Sequence, residues 1–222
     1  KIDIHLQEAY AMTENTCYSH VTLKDNINIG YVGQALPNCK VKFSDVNEIL
    51  IKHEALMLGY YKDENQTNEI IKDGWLYTGD EGEVNNEGFL KITGRVKDIF
   101  KTSKGKYIAP SPIEMKFAEN TNIEQVCVVG TGIPQPIALV VLSEIGISFD
   151  NIILDLKKTL TRVNEGLEKH EIIHNIVVVN GKWTVENQLL TPSMKIKRNS
   201  LEKKYQENYN LWYESDSVFL QK

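Results

Sequence analysis

Four short clusters in this chain carry residue types at spacings that could do chemistry. In "EAYAMTEN", residues 8–15, Thr13 and Glu14 set a hydroxyl beside a carboxylate just after the aromatic ring of Tyr10. A hydroxyl donates to a phosphate oxygen, a carboxylate suits Mg2+, and an aromatic face stacks on a base. The same letters also write an ordinary turn. In "YTGD", residues 77–80, a carboxylate after a glycine turn could accept from both hydroxyls of a ribose, or simply sit in water. "GRVKDIFKTSKGKYIAP", residues 94–110, is a charged stretch with the composition of a linker. "TPSMKIKR", residues 191–198, is a basic loop leading into a solvated helix, or the seat of a working cation.

The elements that must position these clusters divide the chain into two halves. The first is strand-rich. "YVGQALPNCKVKF" and "NEILIKH" are β-like runs joined by the polar turn "SDVN". "KDENQTNEIIKDG" reads as a short helix closed by Gly74, and "EGEV" and "FLKITG" flank "NNEG" as a second hairpin. Asp80 and Arg95 therefore fall on either side of that hairpin. In the second half, "SPIEMKFAENTN" is a short helix, and "IEQVCVVGTG", "PIALVVLSE" and "HNIVVVNG" are apolar strands. Ile152, Ile153, Leu156, Leu160, Val163 and Leu167 form one helical stripe, with Asp150 as its N-cap. "NSLEKKYQENYNLWYE" reads as a helix capped by Asn199, with Glu202 at the capping-box spacing. The fold class is α+β: a β-rich, distorted-barrel segment over residues 1–97, then a small α+β domain over 98–222.

Composition narrows the function. The 222 residues are 41% hydrophobic and 25% charged, with a formal net charge of −5, which fits a soluble globular protein and excludes a broad basic face for duplex nucleic acid. No apolar run approaches the roughly 20 residues of a membrane span, and no signal peptide opens the chain, so a cytoplasmic location is expected. Cys17, Cys39 and Cys127 read as reduced thiols. His170 and His174 stand one helical turn apart, but no acidic or cysteine partner completes a metal set, and the pair reads as structural.

In this order and with these spacings, the four clusters resemble the adenylate-forming superfamily of acyl-CoA synthetases, luciferases and peptide-synthetase adenylation domains. "YAMTE" is similar to its Tyr-Gly-x-Thr-Glu motif, with Ala11 in place of glycine. The run from "NEILIKHEALMLGYY" to "DGWLYTGD" is similar to its Gly-Tyr-Tyr…Gly-Trp-x-x-Thr-Gly-Asp segment. "GRVKDIFKTSKGKYIAPSPIE" and "LTPSMKIKR" resemble the hinge and C-terminal lysine motifs of its long-chain fatty acyl-CoA branch.

The resemblance implies the C-terminal portion of an AMP-forming long-chain fatty acid–CoA ligase, acting on fatty acid, ATP and CoA with Mg2+. It implies nucleotide contacts at Tyr10, Thr13, Asp80 and Arg95, a metal ligand at Glu14, and a hinge at Asp98 about which residues 98–222 swing. It also implies an adenylating lysine at Lys195, with Lys101 and Gly105 on the hairpin that serves CoA in the second step. Met194 stands where members outside the long-chain branch have glycine, which leaves the register among Lys195, Lys197 and Arg198 open. The superfamily's Gly/Ser/Thr-rich phosphate loop and acyl pocket are expected upstream of Lys1, so residues 1–222 alone are expected to be inactive. Another carboxylate–CoA ligase, for aryl or medium-chain acids, and a non-catalytic module retaining the fold are the alternatives. A lipid substrate allows a peripheral membrane contact, although no basic amphipathic helix asserts one.

Overall fold

A computed structural model describes residues 6–143 and 149–221, and the chain divides into two compact units, residues 1–97 and 98–222. The class is mixed α and β, and the first unit is built on a curled half-barrel sheet. Its first strands, β1 (Ala9–Tyr10), β2 (His20–Val21) and β3 (Gln34–Ala35), form a small antiparallel sheet. Next come β4 (Lys40–Phe43) and β5 (Glu48–Lys52), a hairpin whose "SDVN" turn is closed by Ser44 Oγ accepting from the Val46 and Glu48 amides. Helix α1 (Glu64–Ile70), capped by Asp63, leads to β6 (Ile71–Lys72), β7 (Trp75–Val84) and β8 (Leu90–Arg95). Strand β7 pairs with β5, β6 and β8, and it organises the unit. The amide of Val32 donates to Leu90 O and that of Leu90 to Gly33 O, which stitches the small sheet to the large one. Ile49, Ile51 and Leu90 form the core, with Val41, Phe43 and Ile92 packed against them.

One expectation fails here. The helical reading of "KDENQTNEIIKDG" holds only as far as Ile70. Asp73 and Gly74 both take positive φ (53° and 74°), the two-residue turn that matches strand twist, so Ile71–Lys72 fold back on Trp75–Leu76 as a strand.

The second unit opens with a short hairpin, β9 (Phe100–Lys101) and β10 (Tyr107–Ile108), and helix α2 (Pro110–Phe117). Strands β11 (Ile123–Val129) and β12 (Ile137–Leu142) are antiparallel. After helix α3 (Phe149–Asn164), strand β13 (Ile176–Val178) joins β12 in parallel. Helices α4 (Arg198–Tyr205) and α5 (Tyr209–Tyr213) precede β14 (Val218–Leu220), which completes the sheet β11-β12-β13-β14. Alternate residues face opposite sides of a strand, and both sides here are covered. Val128, Ala138, Val140 and Ile176 pack with α2 and α3. Cys127, Val129, Leu139 and Val177 pack with Trp183, Leu201, Tyr209 and Trp212. That double burial explains why these strands read as continuous apolar runs.

The α3 stripe lies as its spacing requires from Ile152 to Val163: Ile152, Leu156, Leu160 and Val163 are buried, with Ile153 packed beside them; Leu167 packs on the same core but lies beyond the helix, which ends at Asn164. Asp150 falls inside the helix rather than before it, and its side chain lies outside the described residues. The Asn199 cap is overturned. Lys197 precedes the helix, Asn199 is its second residue, and Glu202 accepts from Thr131 Oγ1 at 3.0 Å instead of closing a capping box. The single helix expected after Asn199 is broken by a 3-10 turn at Gln206–Asn208. Cys17 is exposed, Cys39 half-buried and Cys127 buried, and all three are free thiols.

Leu156 is fully buried between α3 and the sheet. Leu156→Ala should destabilise the chain by about 2–5 kcal/mol through lost transfer energy and the residual cavity. Urea unfolding followed by tryptophan fluorescence reads this, and a change within about 0.5 kcal/mol would remove the stripe from the core.

Candidate functional site

The site residues of the first unit are placed by an irregularity in β7. Glu48 of β5 pairs with Glu81, yet Leu50 pairs with Tyr77, so β7 carries extra residues over Thr78–Asp80. Gly79 takes φ +74°, a left-handed conformation that glycine adopts without strain. The Gly79 amide donates to Glu48 Oε1 at 2.8 Å, while Thr78 Oγ1 donates to Ile49 O at 2.8 Å and accepts from the Asp80 amide at 3.1 Å. Against β8 the register shifts a second time, between Glu81 and Gly82, and that shift sets Asp80 directly opposite Arg95.

Both carboxylate oxygens of Asp80 are held. Arg95 Nε donates to Oδ1 at 2.8 Å and the Tyr10 hydroxyl donates to Oδ2 at 2.7 Å. The Asp80 side chain is 16% exposed, whereas that of Arg95 is 51% exposed. Burial and then the Asp80 charge raise the Tyr10 hydroxyl far above its ordinary value, so it stays protonated and donates. The sequence assigns Tyr10 a stacking face; the structure adds that its hydroxyl orients Asp80. A carboxylate oxygen has two acceptor positions, so each Asp80 oxygen can still take a hydrogen bond from a ligand hydroxyl.

Thr13 and Glu14 follow in the same segment, in the 3-10 turn Thr13–Asn15. Thr13 is exposed. Glu14 Oε1 accepts from the Tyr60 hydroxyl at 2.7 Å. Burial, together with Glu14, pushes Tyr60 up to about 12, which keeps it a donor. Tyr60 is in turn set by Thr67 Oγ1, which accepts from its amide at 2.8 Å. One oriented carboxylate fits a Mg2+ that draws its remaining ligands from phosphates and water. Among the described residues, no group of three or more His, Cys, Asp or Glu could hold an ion alone.

The remaining candidates belong to the second unit. Asp98 ends the 3-10 turn Val96–Asp98 and is the first residue of that unit. Lys101 on β9 lies with its Nζ 5.4 Å from the centroid of Tyr107. Gly105 closes the β9–β10 turn at φ +77°, and an added Cβ would meet only Lys101 Cε at 3.7 Å; backbone conformation rather than space is what requires glycine there.

Lys195 stands on a tight hairpin. The Thr191 amide donates to Lys195 O at 2.7 Å, the Met194 amide donates to Thr191 O at 2.8 Å, and the Lys195 amide donates to Thr191 Oγ1 at 3.0 Å. Leu190 and Ile196 form an isolated bridge below the turn. Met194 takes φ +62°, so methionine occupies a backbone conformation suited to glycine. Lys195 is exposed. Arg198 is removed from the register question, because its guanidinium is buried against Glu114 Oε1 at 2.7 Å and Val128 O at 2.6 Å.

Sequence reasoning missed Tyr60 and Glu114 and weighed Arg198 only as an alternative to Lys195. All three stand within the quoted motifs, but only their long-range partners disclose their roles. His174 stacks on Tyr213 with ring centroids 4.0 Å apart, a packing role.

The model of the AMP-binding enzyme C-terminal domain matches residues 97–217. The rat long-chain-fatty-acid–CoA ligase 5 is 35% identical over 240 residues, covering 94% of this chain and 35% of that protein. Long chain acyl-CoA synthetase 3 of Arabidopsis thaliana is 30% identical, covering 96% and 37%. Among solved structures, the adenylation domain of a Mycobacterium chelonae carboxylate reductase superposes with a TM-score of 0.75 at 25% identity, over 94% of this chain and 35% of that one. The O-succinylbenzoate coenzyme A synthetase of Bacillus subtilis, in complex with AMP, gives 0.70 at 25% identity over 88% and 40%. The chain spans little more than a third of the length of the curated relatives it matches.

His20, buried beside Tyr10, hydrogen-bonds Ser19 Oγ through Nδ1 at 2.7 Å, and burial lowers it from 6.5 to about 4. The unfolded chain therefore takes up this proton before the folded one does. Its contribution to stability is complete above pH 6.5 and is lost as pH falls toward 4. Melting temperatures across that window should drop less steeply for His20→Gln than for the wild type; parallel curves would show that His20 is not buried neutral.

Proposed function

The chain belongs to the AMP-binding enzyme C-terminal domain family, and from that premise we propose that it is the C-terminal portion of a long-chain fatty acid–CoA ligase. The full-length protein would join a fatty acid to ATP as acyl-adenylate, releasing pyrophosphate, and then pass the acyl group to the CoA thiol. The observation that carries this reading is the Tyr10–Asp80–Arg95 arrangement. It offers a pre-oriented carboxylate, held on both oxygens and backed by a guanidinium, to the paired hydroxyls of a ribose.

Each further residue takes a role that its surroundings support. Thr13, exposed on its 3-10 turn, would donate to a phosphate oxygen. Glu14, oriented by Tyr60, would hold Mg2+, which when bound neutralises charge on the phosphates. In the first step a carboxylate oxygen of the fatty acid attacks the α-phosphorus and pyrophosphate departs. The Lys195 ammonium is suited to stabilise the charge growing on those oxygens. In the second step the CoA sulfur attacks the acyl carbonyl, AMP departs, and Lys195 is no longer needed. Rotation of residues 98–222 about Asp98 would withdraw Lys195 and present the Lys101–Gly105 hairpin to CoA.

Two predictions follow from this assignment, both in the full-length protein. Asp80→Ala should raise the KM for ATP by about tenfold or more, the scale of losing a charge-assisted hydrogen bond, and Arg95→Ala by less because that side chain is half exposed. Unchanged ATP KM values in both would move the sugar site elsewhere. Lys195→Ala should cut palmitate-dependent adenylate formation by roughly a hundredfold or more while sparing CoA transfer from supplied palmitoyl-adenylate. Lys197→Ala should be mild in both assays. A larger adenylation defect in Lys197→Ala would shift the register, and equal losses in both steps of Lys195→Ala would defeat the alternation.

A further inference from the structure

Arg198 is the first residue of α4 and lies three positions beyond Lys195. Its side chain is only 11% exposed, unusual for a permanent cation. Nη1 donates to Val128 O at 2.6 Å and reaches Cys127 Sγ at 3.1 Å, while Nη2 donates to Glu114 Oε1 at 2.7 Å. That same Glu114 oxygen accepts from the Val128 amide at 2.7 Å. The guanidinium thus bolts α4 to α2 and β11. Burial pushes the Cys127 thiol up to about 12, so it meets Arg198 as a neutral group.

One nitrogen of the fork is left without a partner. Arg198 Nε is buried without a hydrogen-bond partner, and Asp98 Oδ1 stands 3.9 Å from it. A buried donor of a charged group without an acceptor is unfavourable, and a carboxylate shift of about 1 Å would satisfy it. Asp98 is placed to make that shift, since it begins the unit and ends an irregular turn.

We infer that the Nε of Arg198 is a latch for Asp98, closed in one of the two arrangements of the reaction cycle and open in the other. This rests on the ligase reading given above. Arg198 is then a positioning residue: it touches no substrate, but it ties the pivot to the helix that follows the Lys195 hairpin. A lysine could not replace it, because a single ammonium cannot hold Val128, Glu114 and Asp98 from fixed directions at once.

The test uses the full-length protein with Asp98→Ala, Arg198→Lys and the double variant. Palmitoyl-adenylate formation and CoA transfer from supplied palmitoyl-adenylate are measured separately. Each single variant should change the ratio of the two rates by about tenfold in the same direction, the scale of one charge-assisted hydrogen bond. The double variant should go no further than the larger single, because both remove one interaction. A strut with no part in the cycle would slow both steps alike, and an unchanged ratio overturns the latch. So does a double variant in which the two ratio changes multiply. Should Arg198→Lys fail to fold, Asp98→Ala decides alone. A wild type that performs neither step defeats the ligase reading and the latch together; a wild type that performs both, with variants of unaltered ratio, defeats the latch only.

Discussion

The register of β7 against β8 is the constraint on which the Tyr10–Asp80–Arg95 arrangement depends, because a strand pair transmits position without adjustment. A slip of one residue would turn Asp80 and Arg95 to opposite faces and take the Tyr10 hydroxyl from its acceptor. The register is defended at several points. Asn85 Oδ1 accepts from the Glu87 and Phe89 amides and fixes the turn, and Gly88 supplies its left-handed corner. Leu90 is fully buried where β8 begins. The bulge at Thr78–Asp80 then re-aims Asp80, and the Glu48 carboxylate holds the Gly79 amide that the bulge releases from the ladder. An acidic residue is stabilised next to an arginine here by geometry established some distance away.

The second unit solves a different problem. A sheet packed on both faces holds rigid elements in fixed relation, which would suit the moving body of the proposed reading. Its two cores lie on opposite faces of the sheet, with alternate residues of β11, β12 and β13 assigned to one side or the other. Asn175, fully buried, donates from Nδ2 to the carbonyl of Trp212 and so ties the start of β13 to α5. Arg198 performs the equivalent task between α4, α2 and β11. Few of its elements are long, and polar cross-links of this kind make up for the modest area that short helices bury.

Much of this organisation was legible in the sequence, because it is written in local patterns. The "SDVN" and "NNEG" turns, the apolar runs of β11 and β12 and the 3.6-residue stripe of α3 all depend on neighbours within a few residues. The Asp80–Arg95 pairing was legible only in part: the hairpin brings the two strands together, but a register shift between Glu81 and Gly82 decides which residues face each other. What stayed hidden was decided by distant partners. The three-residue β14 exists because β13 offers it an edge, and Glu202 leaves its cap for Thr131, 71 residues away. Tyr60 gave no local signal, and Arg198 none beyond its place in the basic motif, since an exposed tyrosine and a solvated basic run are the ordinary readings of such letters. The Ile71–Lys72 strand is a different failure: Asp73–Gly74 is a strong hairpin turn, but it was absorbed into the helix before it.

The hairpin that carries Lys195 shows why motion, if the lysine is to move at all, must involve the whole unit. A flexible loop could release a lysine by itself. This turn is anchored on both sides: Leu189 and Leu190 are buried before it, and Ile196 packs into the same core after it. The buried Arg198 fixes the next step of the chain. Within the turn, Thr191 closes the ring from its amide and its hydroxyl. Met194 holds a left-handed backbone that costs a side-chain-bearing residue about 1 kcal/mol or more, a cost the surrounding bonds must outweigh for the turn to persist. Glycine would adopt that conformation without strain, but it would also widen the choices of the unfolded and partly open turn. A methionine forced into a glycine's conformation therefore speaks for a stiff mount. On the proposed reading, stiffness at Lys195 would transfer the flexibility that the chemistry needs to the boundary at Lys97–Asp98, where the two compact units meet in sequence.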